Sequence, residues 1–417
     1  MTALPLSVIV VSRGRPEALA RCLRGIAALD GGPFEVVVVA DPAGIAAVAA
    51  YRERIKAATF DAANLARARN IGLGLAAGEV VAFIDDDAVP EPTWAMRLAA
   101  PFADARVGAA GGPVIGRNGI SLQWGPAAAD RLGQRRPLQT HPTEVQVHRG
   151  AAGLGIKTEG TNMAFRRDLL CRIGGFDERF AFYLDETDVN LRLGALGTPV
   201  AFVPGAVVHH GFAASARRRE DRVPRDLRQI GASLAVFLRK HGTDPATRRA
   251  AEAAAQRRRL LRHMVAGRIE PRDVGRLMAG FEAGWDEGLA RAEVAVEIGA
   301  APEFLPFGPG GVRARRVLSG PLRDAVRLRA EAAAQAAEGA VVTLILLSRT
   351  ARYHRVSFRP AGYWEQAGGL YGRSLRSDPL WRRWDMDTRV AREVARVAPV
   401  REAHPRGAPL RDAPSPP

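Results

Sequence analysis

Three adjacent carboxylates, Asp85, Asp86 and Asp87, directly follow an apolar run in the segment FIDDDAVPEPTW, residues 83–94. Like charges this close repel, so the segment is either a turn solvated by water or a site that holds a cation. Hard divalent cations such as Mg²⁺ and Mn²⁺ take carboxylate oxygens and bridge them to substrate phosphates. In an Asp-x-Asp pair, one carboxylate can meet the metal while the other orients the bound molecule.

A second acidic group, Asp185, Glu186 and Asp188, lies where the pattern predicts the first turn of a helix. Acids there favour the helix dipole, so capping is one explanation. A general base held near a bound hydroxyl is the other. His209 and His210 follow at the end of a predicted strand, and a histidine pair beside acids suits a metal site.

Apolar runs and amphipathic segments alternate in the first part of the chain, which predicts an open α/β sheet with helices on its faces. The buried strands are predicted at residues 7–12, 34–41 and 79–87. Helices are predicted from Pro16 and over residues 64–78. Ligands of such sheets bind outside the carboxyl ends of the strands, where Ser12, Asp41 and the three adjacent acids lie.

Five segments carry these features in a fixed order: SVIVVSRGRPEALARCL, ARNIGLGLAAGEVVAFIDDDAVPEPTW, GTNMAFRRDLLCRIGGFDERF, YLDETDVNLRL and VVHHG. Together they resemble the family 2 glycosyltransferases of GT-A fold, over about residues 5–215. The resemblance implies a GT-A domain at 1–215 that binds a nucleotide-diphosphate sugar across the strand ends. It also implies transfer of the sugar to an acceptor hydroxyl, usually with inversion, in glycan or glycolipid synthesis.

The resemblance also implies roles for individual residues. The donor would be bound by Ser12, Arg13, Asp41, Arg69, Asp85, Asp86 and Asn162. Asp87 and Asp85 would bind Mg²⁺ or Mn²⁺, and His209 or His210 would complete the metal site. Such a metal would stabilise the departing diphosphate as its charge grows.

The chain departs from the family pattern at the base. Family members commonly have Glu-Asp-x-Asp, whereas this chain has Asp185-Glu186-Thr187-Asp188. Alignment gives Glu186 the position of the base, one methylene longer than the usual Asp. Asp185 and Asp188 are the alternatives.

Positive charge is concentrated in the second half of the chain. The net charge is +16, of which +1 falls through residue 212 and +15 after it. Arg- and Ala-rich helical sequence predicts a basic, mainly helical extension over 216–405, with a strand or hairpin near 340–358. The Pro-rich end, 406–417, is predicted to be a disordered tail.

The basic extension has several explanations that the sequence leaves open. It is a solvated helical face, or it contacts an anionic membrane surface, a lipid-linked acceptor, or an acidic partner. Nucleic-acid binding is disfavoured, because acids are interspersed among the basic residues and no nucleic-acid motif is present.

Location and rival functions follow from weaker signals. Two cysteines without metal-ligand spacing, no signal-peptide pattern and no apolar run of bilayer length predict a cytoplasmic protein, peripheral at the inner face of the membrane if it docks there. One rival function is an inactive GT-A scaffold that works through its basic tail, which the intact acids disfavour. The other is a Mg²⁺-dependent phosphotransferase, which would need an Asp nucleophile where Ser12 and Arg13 stand.

Overall fold

A computed structural model describes residues 4–308, 310–402 and 410–413. Its strands, in chain order, are β1 (Leu6–Ser12), β2 (Phe34–Ala40), β3 (Lys56–Thr59), β4 (Val80–Asp85), β5 (Ala88–Pro90), β6 (Ala109–Gly111), β7 (Val114–Ile115), β8 (Leu122–Trp124), β9 (Ala127–Asp130), β10 (Arg135–Pro137), β11 (Gln146–Arg149), β12 (Leu154–Lys157), β13 (Met163–Arg166), β14 (Pro199–Phe202), β15 (Val208–His210), β16 (Arg315–Pro321), β17 (Val341–Ser348), β18 (Arg355–Phe358), β19 (Trp364–Gly369) and β20 (Arg411–Asp412). Its α-helices are α1 (Pro16–Ile26), α2 (Pro42–Ala47), α3 (Leu65–Leu75), α4 (Trp94–Ala99), α5 (Arg167–Arg172), α6 (Asp185–Ala195), α7 (Arg228–Lys240), α8 (Pro245–Val265), α9 (Pro271–Ala290), α10 (Ala325–Ala337) and α11 (Met386–Arg401).

The main sheet is mixed and has the strand order β20-β11-β14-β6-β13-β4-β1-β2-β3. Strands β4, β1, β2 and β3 are parallel, and β13 runs antiparallel to β4. The chain visits β2 and β3 before it returns to place β4 beside β1. The carboxyl ends of β1 and β4 therefore form a topological switch point, where sheets of this kind bind ligands. The predicted α/β sheet and its three strands are confirmed.

Helices cover both faces of the parallel strands, which explains their continuous apolar sequences. Alternate residues of β1 point to opposite faces. Val8 and Val10 pack in the cluster that contains Leu19 and Leu23 of α1, whereas Ile9 packs with α3 on the other face. Strand β3, which the sequence did not predict, is a four-residue edge strand without a strong apolar run.

The second half contains helices and a separate sheet. Helices α7, α8 and α9 enclose an apolar cluster that also takes Phe180 and Leu184 from the first half. Strands β16, β17, β19 and β18 form a sheet in that order, with β17 parallel to both of its neighbours. No helix in the described ranges is both long and apolar enough to cross a membrane.

Two predictions for the second half need correction. Of the strand or hairpin predicted near 340–358, the strand is present as β17, but the hairpin is not, because β18 pairs antiparallel with β19 and not with β17. The β17 sequence VVTLILLS is almost wholly buried, so it takes the centre of the sheet and a parallel partner on each side. Of the tail predicted to be disordered, residues 406–409 and 414–417 lie outside the described residues. Within 410–413, β20 pairs with the edge strand β11 of the main sheet.

A buried ionic joint connects the two halves. Glu91 accepts hydrogen bonds from Arg401 of α11, at 2.9 Å from Nε and 3.1 Å from Nη2. Its Oε1 also lies 2.8 Å from His209 Nε2 of β15. Burial opposes ionisation of Glu91, but Arg401 and His209 outweigh it and lower the pKa of Glu91 to about 2.

We expect Arg401→Met to lower the free energy of unfolding by about 3–5 kcal/mol, because it leaves the Glu91 carboxylate buried beside His209 alone. The exposed pair of Arg52 and Glu53 provides a matched control, since both side chains are about 80% exposed. Arg52→Met should cost less than about 1 kcal/mol in the same denaturant titration at neutral pH. Equal losses from the two variants would contradict a buried joint.

The same variant should respond to pH in a defined direction. The pKa of Glu91 falls from an ordinary 4.5 to about 2 in the folded protein, so its contribution is fully present above pH 4.5. That contribution is lost as the pH falls from 4.5 towards 2. The difference in unfolding free energy between the wild type and Arg401→Met should therefore shrink over this range. A difference that stays constant would argue against an ionised pair.

Candidate functional site

The switch point of the main sheet holds the end of β1 and the three adjacent acids. Ser12 Oγ donates a 2.6 Å hydrogen bond to Oδ2 of Asp86, and Arg15 Nε donates to the same oxygen at 3.0 Å. Asp86 is fully buried, and burial raises its pKa to about 7 although Arg15 opposes the rise. Asp86 therefore ties the two strand ends together from inside the protein.

The flanking acids meet one histidine at a candidate metal site. Single ligand atoms of Asp85, Asp87 and His210 all lie within 4.8 Å of one another. Strand β15 pairs with β5, which follows directly after Asp87, and this pairing sets His210 opposite Ala88. His210 Nε2 is 3.2 Å from Asp87 Oδ1, yet it makes no well-formed hydrogen bond to any described residue. Two carboxylates and a buried imidazole with a free nitrogen fit Mg²⁺ or Mn²⁺.

The groups around Asp87 keep its carboxylate ionised. The Ala213 amide donates a 2.8 Å hydrogen bond to Oδ2 of Asp87, and Arg15 Nη1 lies 3.4 Å from that oxygen. Burial opposes ionisation, but His210, Arg15 and the amide outweigh it and lower the pKa of Asp87. Asp87 is thus ionised and ready to ligate a cation near neutral pH.

The structure separates the two histidines that the sequence predicted as metal ligands. Adjacent residues of a strand point to opposite sides. His210 faces the acids, whereas His209 contacts Glu91 and its ring centre lies 4.6 Å from that of Trp364. His209 is therefore part of the joint between the halves of the chain and lies outside the cluster of Asp85, Asp87 and His210.

A first cleft of about 840 Å³ opens at the switch point, and Ser12, Arg13, Phe60, Asp85, Asp87 and Arg217 help to line it. Arg13 is exposed, and its Nε donates to Asp61 O and Oδ1, each at 2.8 Å. The cleft joins an aromatic wall to arginines and to the acids of the candidate metal site. Such a lining suits a molecule that has both a flat ring and an anionic group.

Two predicted donor residues support this region from outside the clefts. Asp41 accepts hydrogen bonds from the amides of Gly14 at 3.0 Å and Gly44 at 3.1 Å. It therefore fixes the loop after β1 and caps α2. Asn162 is fully buried, where its Oδ1 accepts from Trp94 Nε1 and its Nδ2 donates to Ala206 O, both at 2.8 Å.

A second cleft of about 1450 Å³ adjoins the first, and Asp85 lines both. Arg69 links the acidic groups at its base: it pairs with Asp185, lies 3.6 Å from Asp85 and donates to Gly160 O at 3.2 Å. Burial raises the pKa of Asp185 to about 7 against the effect of Arg69. The carboxylate of Asp185 is only 2% exposed.

Of the second acidic group, Glu186 offers the most accessible carboxylate. Its side chain is 18% exposed in the second cleft and accepts a 2.8 Å hydrogen bond from Lys157 Nζ. Burial opposes ionisation, but Lys157 outweighs it and lowers the pKa of Glu186 to about 2. Asp188 is 0% exposed and is neutralised by Arg192, Lys240 and His241 inside the protein.

The family resemblance places Thr161 in a loop that would help to shape the donor-sugar and acceptor pocket, but sequence reasoning missed Arg15 and Lys157. Thr161 Oγ1 donates a 2.6 Å hydrogen bond to Asp85 Oδ2, and the other two neutralise acids of the site. Lys157 did leave a signal, because the sequence has only three lysines. Each of them pairs with a carboxylate that is less than a fifth exposed, namely Glu35, Glu186 or Asp188.

Comparison with known proteins matches a large part of the chain. The family model described as "Glycosyltransferase like family 2" matches residues 4–232, more than half of the chain. The O-antigen biosynthesis protein RfbC of Myxococcus xanthus is 27% identical over 243 residues, which cover 52% of this chain and 18% of that protein. The N-acetylglucosaminyl-diphospho-decaprenol L-rhamnosyltransferase of Mycobacterium tuberculosis (strain CDC 1551 / Oshkosh) is 39% identical over 106 residues, covering 25% of this chain and 33% of that protein. The matched part thus spans a third or less of the length of these relatives.

Solved structures show weaker similarity. The mannosyltransferase PcManGT from Pyrobaculum calidifontis in complex with GDP-Man and Mn²⁺ has 19% sequence identity and a TM-score of 0.40, covering 70% of this chain and 88% of that chain. S. aureus TarS has 18% identity and a TM-score of 0.39, covering 61% of this chain and 43% of that chain.

We expect Asp87→Asn and His210→Gln each to weaken Mn²⁺ binding at least about tenfold, because each removes one candidate ligand. His209→Gln is the matched control on the same strand and should keep Mn²⁺ affinity within about twofold. Titration of Mn²⁺ followed by its electron paramagnetic resonance signal measures these affinities directly. Equal weakening by the two histidine variants would contradict the assignment of His210, rather than His209, as the candidate metal ligand.

Proposed function

The chain belongs to the glycosyltransferase like family 2, and from this membership we propose that it transfers a sugar from a nucleotide-diphosphate sugar to an acceptor hydroxyl. We further propose that the transfer depends on Mg²⁺ or Mn²⁺ and inverts the configuration of the sugar. One observation carries the proposal: Asp85, Asp87 and His210 converge at the switch point, on the boundary between two clefts. A donor in one cleft and an acceptor in the other would meet beside these residues.

The first cleft suits the donor. Phe60 offers an apolar surface to a nucleoside, and Arg13 and Arg217 supply positive charge for its phosphates. Asp85, Asp87 and His210 would hold the metal, which would neutralise the charge that develops on the departing diphosphate. Ser12 and Asp86 act indirectly, because their hydrogen bond fixes the ends of β1 and β4.

The second cleft suits the acceptor and its base. Geometry precedes pKa in choosing a base, because the group must reach the proton it removes. Glu186 is open to the cleft, whereas Asp185 is occupied by Arg69 and Asp188 is buried. Glu186 would act as the general base: it would accept the proton of the acceptor hydroxyl while the hydroxyl oxygen attacks the anomeric carbon and the diphosphate leaves. Lys157 positions the carboxylate of Glu186 and keeps it ionised.

We also propose an acceptor class and a membrane contact for the protein. Relatives named for O-antigen biosynthesis and for rhamnosyl transfer to N-acetylglucosaminyl-diphospho-decaprenol support a role in glycan or glycolipid synthesis. An exposed segment, residues 375–383, carries Leu380 and Trp381 beside Arg382 and Arg383. Apolar and basic side chains side by side suit an anionic membrane surface, which supports peripheral membrane contact through the extension.

A panel of nucleotide sugars tests the reaction class. With Mn²⁺ present, at least one donor should raise the melting temperature of the protein, because a ligand that binds only the folded state stabilises it. The same donor should be hydrolysed slowly in the absence of acceptor. Asp87→Asn serves as the control and should lose the metal-dependent part of the response. The absence of any response to any donor, with or without metal, would overturn the proposal in favour of an inactive scaffold.

Replacing Glu186 with Gln should reduce turnover at least about 100-fold, in line with the loss of a general base. Donor affinity should stay within about twofold, because Glu186 lies in the second cleft only. Burst and steady-state kinetics with the identified donor separate the two effects. Full turnover by Glu186→Gln would show that Glu186 is not the base.

Lys157→Met should shift the acid limb of activity to higher pH. Lys157 is the main influence that lowers the pKa of Glu186 against the effect of burial, so the pKa of Glu186 should rise when Lys157 is removed. Glu186 then becomes protonated, and activity falls, at a higher pH than in the wild type. Comparison of kcat across pH for the two proteins checks the direction. An unchanged pH profile would show that Lys157 does not control the ionisation of the base.

A further inference from the structure

Four arginines of the second cleft differ from its other cations in their ion pairing. Arg69, Arg135 and Lys157 pair there with Asp185, Glu159 and Glu186. The four are Arg217, Arg218, Arg222 and Arg259. Over the described part of the chain, none of these four has a carboxylate within ion-pair distance, although Arg217, Arg218 and Arg259 are half-buried.

Three of these guanidinium groups, those of Arg218, Arg222 and Arg259, line the second cleft together. Burial lowers the pKa of Arg222 and of Arg259, and the positive charge of Arg218 lowers both further. Arg222 also has a left-handed backbone, with φ of 68°, which costs a non-glycine residue about 1 kcal/mol. Its guanidinium carbon lies 4.7 Å from the ring centre of Phe212, which fixes its direction. Arginines without a carboxylate partner in the described structure, one of them with a strained backbone, suit a site that binds an anion.

The positions of Arg222 and Arg259 separate these two from the donor cleft. Arg217 and Arg218 border both clefts, whereas Arg222 and Arg259 line only the second. The first cleft already has the candidate metal site and Arg13 to neutralise a donor diphosphate. Arg222 comes from the loop before α7 and Arg259 from α8, so the extension itself completes the second cleft.

We propose that Arg218, Arg222 and Arg259 bind a phosphate or diphosphate group carried by the acceptor. The inference rests on the proposed function, which places the acceptor in this cleft. Guanidinium groups donate paired hydrogen bonds that match phosphate oxygens, and three of them together suit a group of two or more negative charges. Acceptors without such a group would bind weakly, so these arginines determine specificity and take no part in the chemistry.

Binding of inorganic pyrophosphate to the full chain tests the site without metal or donor. The wild type should bind it, and the double variant Arg222→Gln/Arg259→Gln should bind at least about tenfold more weakly, because it loses two charge-assisted hydrogen-bond donors. Arg257→Gln/Arg258→Gln is the matched control: it removes the same charge from exposed neighbours of Arg259 on α8. The control should stay within about twofold. Calorimetric titration gives all three affinities, and melting temperatures confirm folding.

Two further probes identify where the anion comes from. Tighter binding of farnesyl diphosphate than of pyrophosphate would identify a lipid-linked acceptor, and tighter binding of a sugar phosphate would identify a soluble phosphorylated one. Both support the site. A different outcome is that the Arg222→Gln/Arg259→Gln variant loses as much affinity for nucleoside diphosphate with Mn²⁺ as for pyrophosphate. In that case the two arginines bind the donor, and the inference is overturned. It is also overturned if the wild type binds none of the phosphate probes.

The two proposals can fail separately. Sugar transfer to a neutral acceptor, with equal rates in the wild type and the double variant, would sink the anion site and leave the transferase intact. Conversely, selective phosphate binding without a response to any nucleotide sugar would retain the anion site and reject the transfer reaction.

Discussion

Repulsion among the three carboxylates at the end of β4 is the constraint on which the rest of the site depends. The structure relieves it by sending the side chains in three directions. Asp86 points inward to Ser12 and Arg15, Asp87 points to His210, and Asp85 stays at the mouth of both clefts. Asp86 and Asp87 are both buried and Asp85 is partly exposed, but only Asp86 turns away from the cluster, so Asp85 and Asp87 remain close together as an Asp-x-Asp pair beside His210.

Two arginines distribute positive charge across this arrangement. Arg15 contacts both Asp86 and Asp87, and Arg69 contacts both Asp85 and Asp185. Arg69 therefore connects the acids after β4 with the start of α6, about a hundred residues later in the sequence. Because each arginine serves two carboxylates, the loss of one would leave two acids without full compensation. The two acidic groups thus form one electrostatic unit.

The features predicted correctly are those that depend on the local sequence pattern. Apolar runs predicted β1, β2 and β4, and their parallel arrangement brought Ser12 and the acids to the same edge, as confirmed by the register of β1 and β4. The roles of His209, Asn162 and Asp188 depend on what lies opposite each side chain in the folded protein. The direction of His209 follows from the pairing of β15 with β5, and Asp188 meets its partners Lys240 and His241 from a helix far along the chain. The hairpin alternative near 340–358 was wrong for the same reason, since the partners of a buried strand are set by the whole sheet.

Strand β15 gives the extension a direct mechanical connection to the candidate metal site. One of its faces presents His210 to Asp87, and the other presents His209 to Glu91, Arg401 and Trp364. The two histidines are neighbours on a strand of three residues. The ion pair of Glu91 with Arg401 is buried, so it resists displacement by water and salt. The extension therefore does more than complete the second cleft: through this joint it fixes the strand on which the metal-facing imidazole is held.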